Sequence, residues 1–261
     1  MIGRLSLRFA VLFYIAAILL VPVGLIFWRT FEHGIGPAWD AVTTPDARHA
    51  FWLTLKIAAI VVPLNTIFGI VCALAIVRHK FPGKGVLNAV VDLPLALSPV
   101  VIGLALFLLY GRNGWLDSLP FQVLFSLPAM VLATMFVSLP FVVREVVPVL
   151  REIGTDQEQA AATLGAGPIA TFRRVTLPAI RWAVAYGVVL TTARSIGEFG
   201  AVSVVSGRIS GRTETLPIYV QSLYAFDFNT SGAYAASVVL ALIAILTVVM
   251  LRIFQPKEEA L

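Results

Sequence analysis

Residues 57–77 read IAAIVVPLNTIFGIVCALAIV, a stretch free of Asp, Glu, Lys and Arg that stops at Arg78. A helix rises about 1.5 Å per residue, so about 20 such residues cross the ~30 Å hydrocarbon core of a bilayer. Four more charge-free runs occur at residues 9–28, 93–111, 118–143 and 228–251, with a more broken apolar stretch at 176–196. The chain as a whole agrees: 59% of its 261 residues are hydrophobic and 13% charged, which places it outside the range of soluble domains. The expectation is an all-α integral membrane protein of six transmembrane helices forming one domain over residues 1–261. The approximate spans are 9–28, 52–77, 88–111, 119–143, 176–198 and 230–252. Pro22, Pro63, Pro99 and Pro140 predict kinks, tolerated where neighbouring helices or hydroxyl side chains take up the freed carbonyls.

Arg4 and Arg8 precede the first run, but it ends in Phe27-Trp28-Arg29 and lacks a small-residue cleavage site, so it reads as an uncleaved anchor. Arg78, Lys80 and Lys84 crowd one turn-round, and Arg144, Arg151, Arg173, Arg174 and Arg181 another; the positive-inside rule makes both cytoplasmic. Arg252 and Lys257 in the tail agree with two cytoplasmic termini in a plasma or inner membrane, which leaves residues 28–50 outside. Arg208 and Arg212 are the exception, on the external side. Such loops account for the net charge of +5, so nucleic acid is not the expected partner. Cys72 lies inside a span and His33, His49 and His79 in separate loops, which gives no metal set.

No catalytic residues emerge. The chain has no G-x-x-x-x-G-K-[ST], H-E-x-x-H or G-x-S-x-G, and Gly83-Lys84-Gly85 has no phosphate-loop spacing around it. No inverted repeat of broken helices stands out either, which disfavours a self-sufficient secondary transporter. An energy source in another chain is therefore expected.

The loop between the fourth and fifth spans reads as two short helices. Thr155 or Asp156 can cap the first, residues 157–164 favour helix, and Gly165-Ala166-Gly167 ends it. Pro168 then suits the first turn of a second helix. Small Ala160, Ala161 and Ala162 permit close approach of a partner; an amphipathic loop lying on lipid headgroups is the alternative.

Gln159-Ala160-Ala161-Ala162-Thr163-Leu164-Gly165, nine residues, then Val175-Thr176-Leu177-Pro178 resembles the E-A-A-x-x-x-G-x9-I-x-L-P loop of ABC-importer permeases. Asp92-Leu93-Pro94, Leu97-Ser98-Pro99-Val100-Val101-Ile102-Gly103-Leu104, Phe172-Arg173-Arg174 and the run Ala193-Arg194-Ser195-Ile196-Gly197-Glu198-Phe199-Gly200 through Gly207 are similar to sulfate/thiosulfate permeases of the CysW type, with molybdate permeases as the nearest rival. The resemblance implies a type I importer (MetI-like) fold whose coupling loop, residues 151–175, docks on an ATPase through Gln159, Ala160, Ala161, Ala162, Leu164, Gly165, Leu177 and Pro178. It implies a CysT-type permease partner in a heterodimer, two CysA-type ATPases that hold ATP and Mg, and an external sulfate-binding protein. No cofactor falls to this chain. Where the family carries Glu, this chain has Gln159, with Glu158 one place earlier.

A dehydrated dianion needs hydroxyls, N–H groups or cations along its route. Ser98, Ser138, Thr191, Arg194, Ser195, Glu198 and Phe199 are the candidates for pathway or gate. Arg194 and Glu198, four apart on one helical face, can equally form a structural pair, and Ser98-Pro99 and Ser138-Leu139-Pro140 can equally be kinks. Arg208 and Arg212 either draw anions to the mouth or are solvated surface charge.

Overall fold

The computed structural model describes residues 2–117 and 122–254, and these are helical with no strand among them. In chain order the helices are α1 (Ile2–Phe31), α2 (Ile35–Val42), α3 (Pro45–Arg78), α4 (Lys84–Ala96), α5 (Pro99–Tyr110), α6 (Leu127–Glu152), α7 (Asp156–Thr163), α8 (Pro168–Thr171), α9 (Leu177–Ile196), α10 (Gly200–Val205), α11 (Leu216–Ala225) and α12 (Thr230–Phe254). A π-helical turn, Phe172–Thr176, joins α8 to α9. The start of the expected fourth span at 119 and the tail with Lys257 lie outside the described residues.

The stretch 57–77 is the central part of α3. Thr44 starts that helix by accepting the N–H of Ala47 at 3.2 Å, and Pro45 suits its first turn. Its neighbours are α6 and α9. Asn65 Nδ2 donates to Met135 O at 3.0 Å, and Arg78 Nη1 donates to Leu150 O at 2.9 Å. Residue numbers on both helices thus climb together, and α3 and α6 are parallel. Close packing is possible because Gly69 and Gly187 flank Val142: a Cβ at Gly69 would lie 2.7 Å from Val142 Cβ, and one at Gly187 would lie 3.0 Å from Val142 Cα. Among the described residues three apolar clusters fill the bundle, one of them joining Ala47 and Ala50 of α3 to Tyr219 of α11 and Ala236 of α12; the other two lie along α3 and α6. One holds Ile57, Val61, Met130 and Val137; the other, nearer α7, holds Ile76, Val142, Val146, Leu150 and Ile180.

Five helices among the described residues are long and apolar enough to span, and α4 with α5 supplies a sixth crossing. Because α3 and α6 are parallel, the chain between them must return across the bundle. Val91 of α4 packs in the cluster nearer α7 and Ile102 of α5 in the other, so the pair makes that return. The expected kink at Ser98-Pro99 is a break of 113°. Leu97 and Ser98 are extended (ψ 143° and 135°), and at Ser98 the following proline excludes the helical conformation.

Several helix boundaries differ from the sequence reading: α1 begins at Ile2 and α3 at Pro45, before the expected 9 and 52. Helix α6 begins at Leu127, where Pro128 suits a first turn, and runs through Arg144 to Glu152. The helical stretch that carries the fifth candidate span begins at Pro168, so the second part of the expected coupling loop 151–175 is helical and continuous with α9. Charge ends an apolar run, but it does not interrupt a backbone hydrogen-bond ladder.

Helix α1 has none of its apolar window buried and packs on α12 and α2. Arg29, Glu32 and His33 at its end line a cleft with Thr230, Ser231 and Tyr234 at the start of α12, so these two helices are antiparallel. That places residues 2 and 254 at the end of the bundle that carries α7.

Candidate functional site

Helix α7 buries none of its residues. Thr155 occupies the capping position, but its hydroxyl accepts from Gln159 Nε2 at 2.9 Å and leaves the backbone uncapped by a side chain. At the other end Gly165 turns left-handed (φ +81°), and Ala166 N donates to Ala161 O at 3.0 Å, which closes the helix. Leu164 is 88% exposed and Ile169 77%, an apolar pair beyond the last turn. Gln159, Ala160 and Ala162 are exposed, Ala161 is half-covered, Leu177 packs into the cluster nearer α7, and Pro178 is exposed.

Glu158 faces the opposite way. Its Oε2 lies 2.9 Å from Arg78 Nε, and its Oε1 accepts from Arg78 Nη2 at 3.2 Å and from Thr176 Oγ1 at 2.8 Å. Arg78 also donates to Leu150 O at 2.9 Å and Gly154 O at 2.6 Å. The acidic residue beside Gln159 is therefore committed inside the subunit, and the exposed face of α7 carries the neutral Gln159. Sequence reasoning missed Arg78 and Thr176. Both sat in the family pattern or the charge count, but nothing local indicated that a residue 80 positions away pairs with Arg78.

The pathway candidates separate into groups. Arg194 Nη1 lies 2.6 Å from Glu198 Oε2, and the Glu198 side chain is 1% exposed. Its other oxygen accepts from Ala201 N at 2.8 Å and so holds the first turn of α10. Phe199 is half-buried, and a Cβ at Gly200 would lie 2.9 Å from Pro99 Cβ, so the α4–α5 break meets the Glu198 turn. Ser98 is exposed there. Ser138, Thr191 and Ser195 lie within the subunit. Ser138 Oγ accepts from Asn65 Nδ2 at 2.9 Å and donates to Thr134 O at 2.6 Å, while the hydroxyls of Thr191 and Ser195 are buried with no partner among the described residues.

Arg144, counted as a loop charge, instead lies two turns inside α6 and pairs through Nε and Nη2 with the two carboxylate oxygens of Asp92 of α4; its Nε donates to Asp92 Oδ1 at 2.6 Å. Arg208 and Arg212 are exposed on the turn between α10 and α11, with Arg208 at φ +53°. Among the described residues no cluster of His, Cys, Asp and Glu has the geometry to hold a metal ion.

This arrangement, a bundle of crossings with a bare short helix pinned beneath it, matches known proteins along nearly its full length. The chain is 49% identical over 250 residues to the sulfate transport system permease protein CysW of Synechocystis, covering 94% of this chain and 90% of that protein. It is 39% identical over 236 residues to the sulfate transport system permease protein CysT of Salmonella typhimurium, covering 88% and 84%. A chain of a bacterial alginate ABC transporter, solved in complex with a pentasaccharide-bound periplasmic protein, has the same fold at TM-score 0.80 and 16% identity, covering 97% of this chain and 95% of that one. Residues 65–259 match the family model described as binding-protein-dependent transport system inner membrane component, and the chain belongs to that family.

Proposed function

We propose that this chain is the CysW-type membrane subunit of an ATP-driven sulfate/thiosulfate importer, forming half of the solute pathway and coupling to a separate ATPase. The observation that carries the reading is α7: a helix with no buried residue, held at one end of the bundle with Gln159, Ala160 and Leu164 facing away from it. A helix that buried no apolar surface and met no partner would gain little from being formed.

In this reading α7 docks in a groove of a CysA-type ATPase, two copies of which hold ATP and Mg. The second half of the pathway is a CysT-type permease; the 49% identity to CysW against 39% to CysT supports two distinct halves. An external binding protein delivers the anion. The α7 end of the bundle faces the cytoplasm, which puts both termini inside and Arg208 and Arg212 outside. ATP binding draws the α7 helices of the two permeases together, and the spans rock so that access changes sides. Arg194, Glu198, Phe199 and Ser98 converge where α4, α5, α9 and α10 meet and form the gate region. Ser138, Thr191 and Ser195 support it from within the subunit.

The test is uptake of labelled sulfate by a strain deleted for this chain and then complemented with it. Restored uptake, competed by thiosulfate more strongly than by molybdate, is the expected result. Restored molybdate uptake without sulfate uptake, or a purified chain that brings no ATPase with it, would overturn the assignment.

A further inference from the structure

Helix α7 is joined to the rest of the chain by glycine turns. Gly154 lies before it at φ +63° and Gly165 after it at φ +81°, and neither has a neighbouring atom where a Cβ would point. Neither turn has a side chain that could brace α7 against the bundle. Nor does α7 have an apolar anchor, since it buries no residue. Among the described residues, every side-chain hydrogen bond from α7 to another helix passes through the Glu158 carboxylate.

That carboxylate reaches two crossings at once. Arg78 closes α3, and Thr176, 4% exposed, ends the π-helical turn that leads into α9. Arg78 also donates from Nη1 to the Leu150 carbonyl and from Nη2, which Glu158 shares, to the Gly154 carbonyl, at the end of α6 and just beyond it. One acidic side chain thus joins α7 to the inner ends of three spans. Beside it lies a cleft of about 510 Å³ lined by Leu74, Arg78, Ala162, Phe172 and Thr176, which leaves room for α7 to shift against the bundle. The pair is mostly covered, with side chains 12% and 21% exposed, so solvent screens it less than a surface bridge.

We infer that Glu158 is the positioning residue through which displacement of α7 is delivered jointly to α3, α6 and α9, with Arg78 and Thr176 as its two receivers. It touches neither ATP nor the transported anion. The inference rests on the importer reading, and it separates the two acidic residues of α7: Glu158 serves an internal link, while Asp156 stays exposed on the side of Gln159 and Ala160.

The experiment uses the complete complex in proteoliposomes and measures the ATP hydrolysed per anion imported. Glu158→Gln retains the shape but loses the charge and one of the two acceptor oxygens that face Arg78 and Thr176, and Thr176→Val cuts the connection to α9 alone. Both variants should assemble with the ATPase and hydrolyse ATP. The ATP consumed per anion should rise about tenfold for Glu158→Gln, the scale of losing one charge-assisted hydrogen bond, and by less for Thr176→Val. Glu158→Asp should restore part of the coupling. A ratio unchanged in Glu158→Gln would overturn the inference, as would hydrolysis and uptake falling in proportion to the amount of assembled complex, which marks a structural role. Failure of the importer reading looks different: the wild-type chain would then recruit no ATPase and move no anion.

Discussion

The two connections flanking α9 and α10 sit at opposite ends of the bundle, and they are secured by opposite means. Residues 153–167 leave their helix bare and hold it through one inward carboxylate. Residues 206–215 are stitched into the core. There Thr213 Oγ1 donates to Ser206 O at 2.6 Å and accepts from Ile209 N at 3.2 Å, while Leu216 N donates to Thr54 Oγ1 at 2.8 Å. Thr213, Glu214, Thr215 and Leu216 are each 3% exposed. Both segments are rich in glycine and hydroxyls, so composition does not separate them. The difference lies in where the hydrogen bonds go: one connection is free to move as a unit, and the other is fixed to the spans.

The largest effect should come from stiffening the free connection. Proline at 165 cannot adopt φ +81° and loses the N–H that Gly165 donates to Ala162 O at 3.0 Å, so α7 would end in the wrong direction. Gly165→Pro should abolish uptake while the chain remains in the membrane, as read by transport and membrane immunoblot; appreciable transport would mean that the exit of α7 carries no mechanical role. A bulky residue at Ala161 should act similarly, but it sits on the side of Glu158. Ala160, about 200° round the helix from Glu158, tests docking more cleanly. Ala160→Trp should remove copurification of the ATPase and leave the fold intact.

The fixed connection should respond in stability before transport. Thr54 Oγ1 donates to Ala50 O at 2.8 Å and accepts from Leu216 N, so Thr54→Val leaves a buried N–H without a partner. The cost is about 1–3 kcal/mol. A lowered melting temperature with near-normal uptake per folded complex is expected; lost uptake at unchanged stability would make this turn part of the moving machinery.

How much of this was legible follows the same division. Apolar runs announce a long helix because length and charge are local properties: α12 begins at Thr230 and α3 ends at Arg78, but α3 begins at Pro45, seven residues before the expected 52. The family spacing announced α7 and its Gly165 turn. The break at Ser98-Pro99 was legible as a proline, but not as a turn of 113°, because its angle is set by α10 packing against α5. The direction of Glu158 was not legible at all. Adjacent polar residues on a short exposed helix look alike until Arg78 and Thr176 are placed beside one of them.

A smaller effect of the fixed connection is its response to pH. Burial pushes the Glu214 carboxyl above its ordinary value near 4.5, and the nearby Asp46 and Asp227 add to this, against the hydrogen bonds from Ser222 and Ser210. A raised carboxyl favours the protonated form in the folded state, so its stabilising contribution is complete below about 4.5 and fades as pH rises through the folded value. Melting temperature of the complex should therefore fall as pH rises from about 4.5 toward neutrality. Glu214→Gln should flatten that part of the profile and raise the neutral value; an unaltered slope would assign the pH dependence to other groups.

The smallest effect belongs to the exposed arginines of the same turn. Arg208 and Arg212 are exposed on a backbone that Thr213 holds rigid; Arg208 Nε reaches back only to the Ser203 carbonyl at 3.5 Å, so both present charge to solvent. Fixed charge at a mouth acts on approach of an anion over about 8–10 Å at ordinary ionic strength, a reach that salt shortens. Converting both to Gln should slow sulfate uptake about two- to threefold in dilute buffer and hardly at all near 0.5 M salt, with no change in melting temperature. Were the loss the same at every salt concentration, the arginines would be acting through direct contact with a delivering protein; were there no loss, the rigid turn would serve to close the outer end of the bundle and its charge would be incidental.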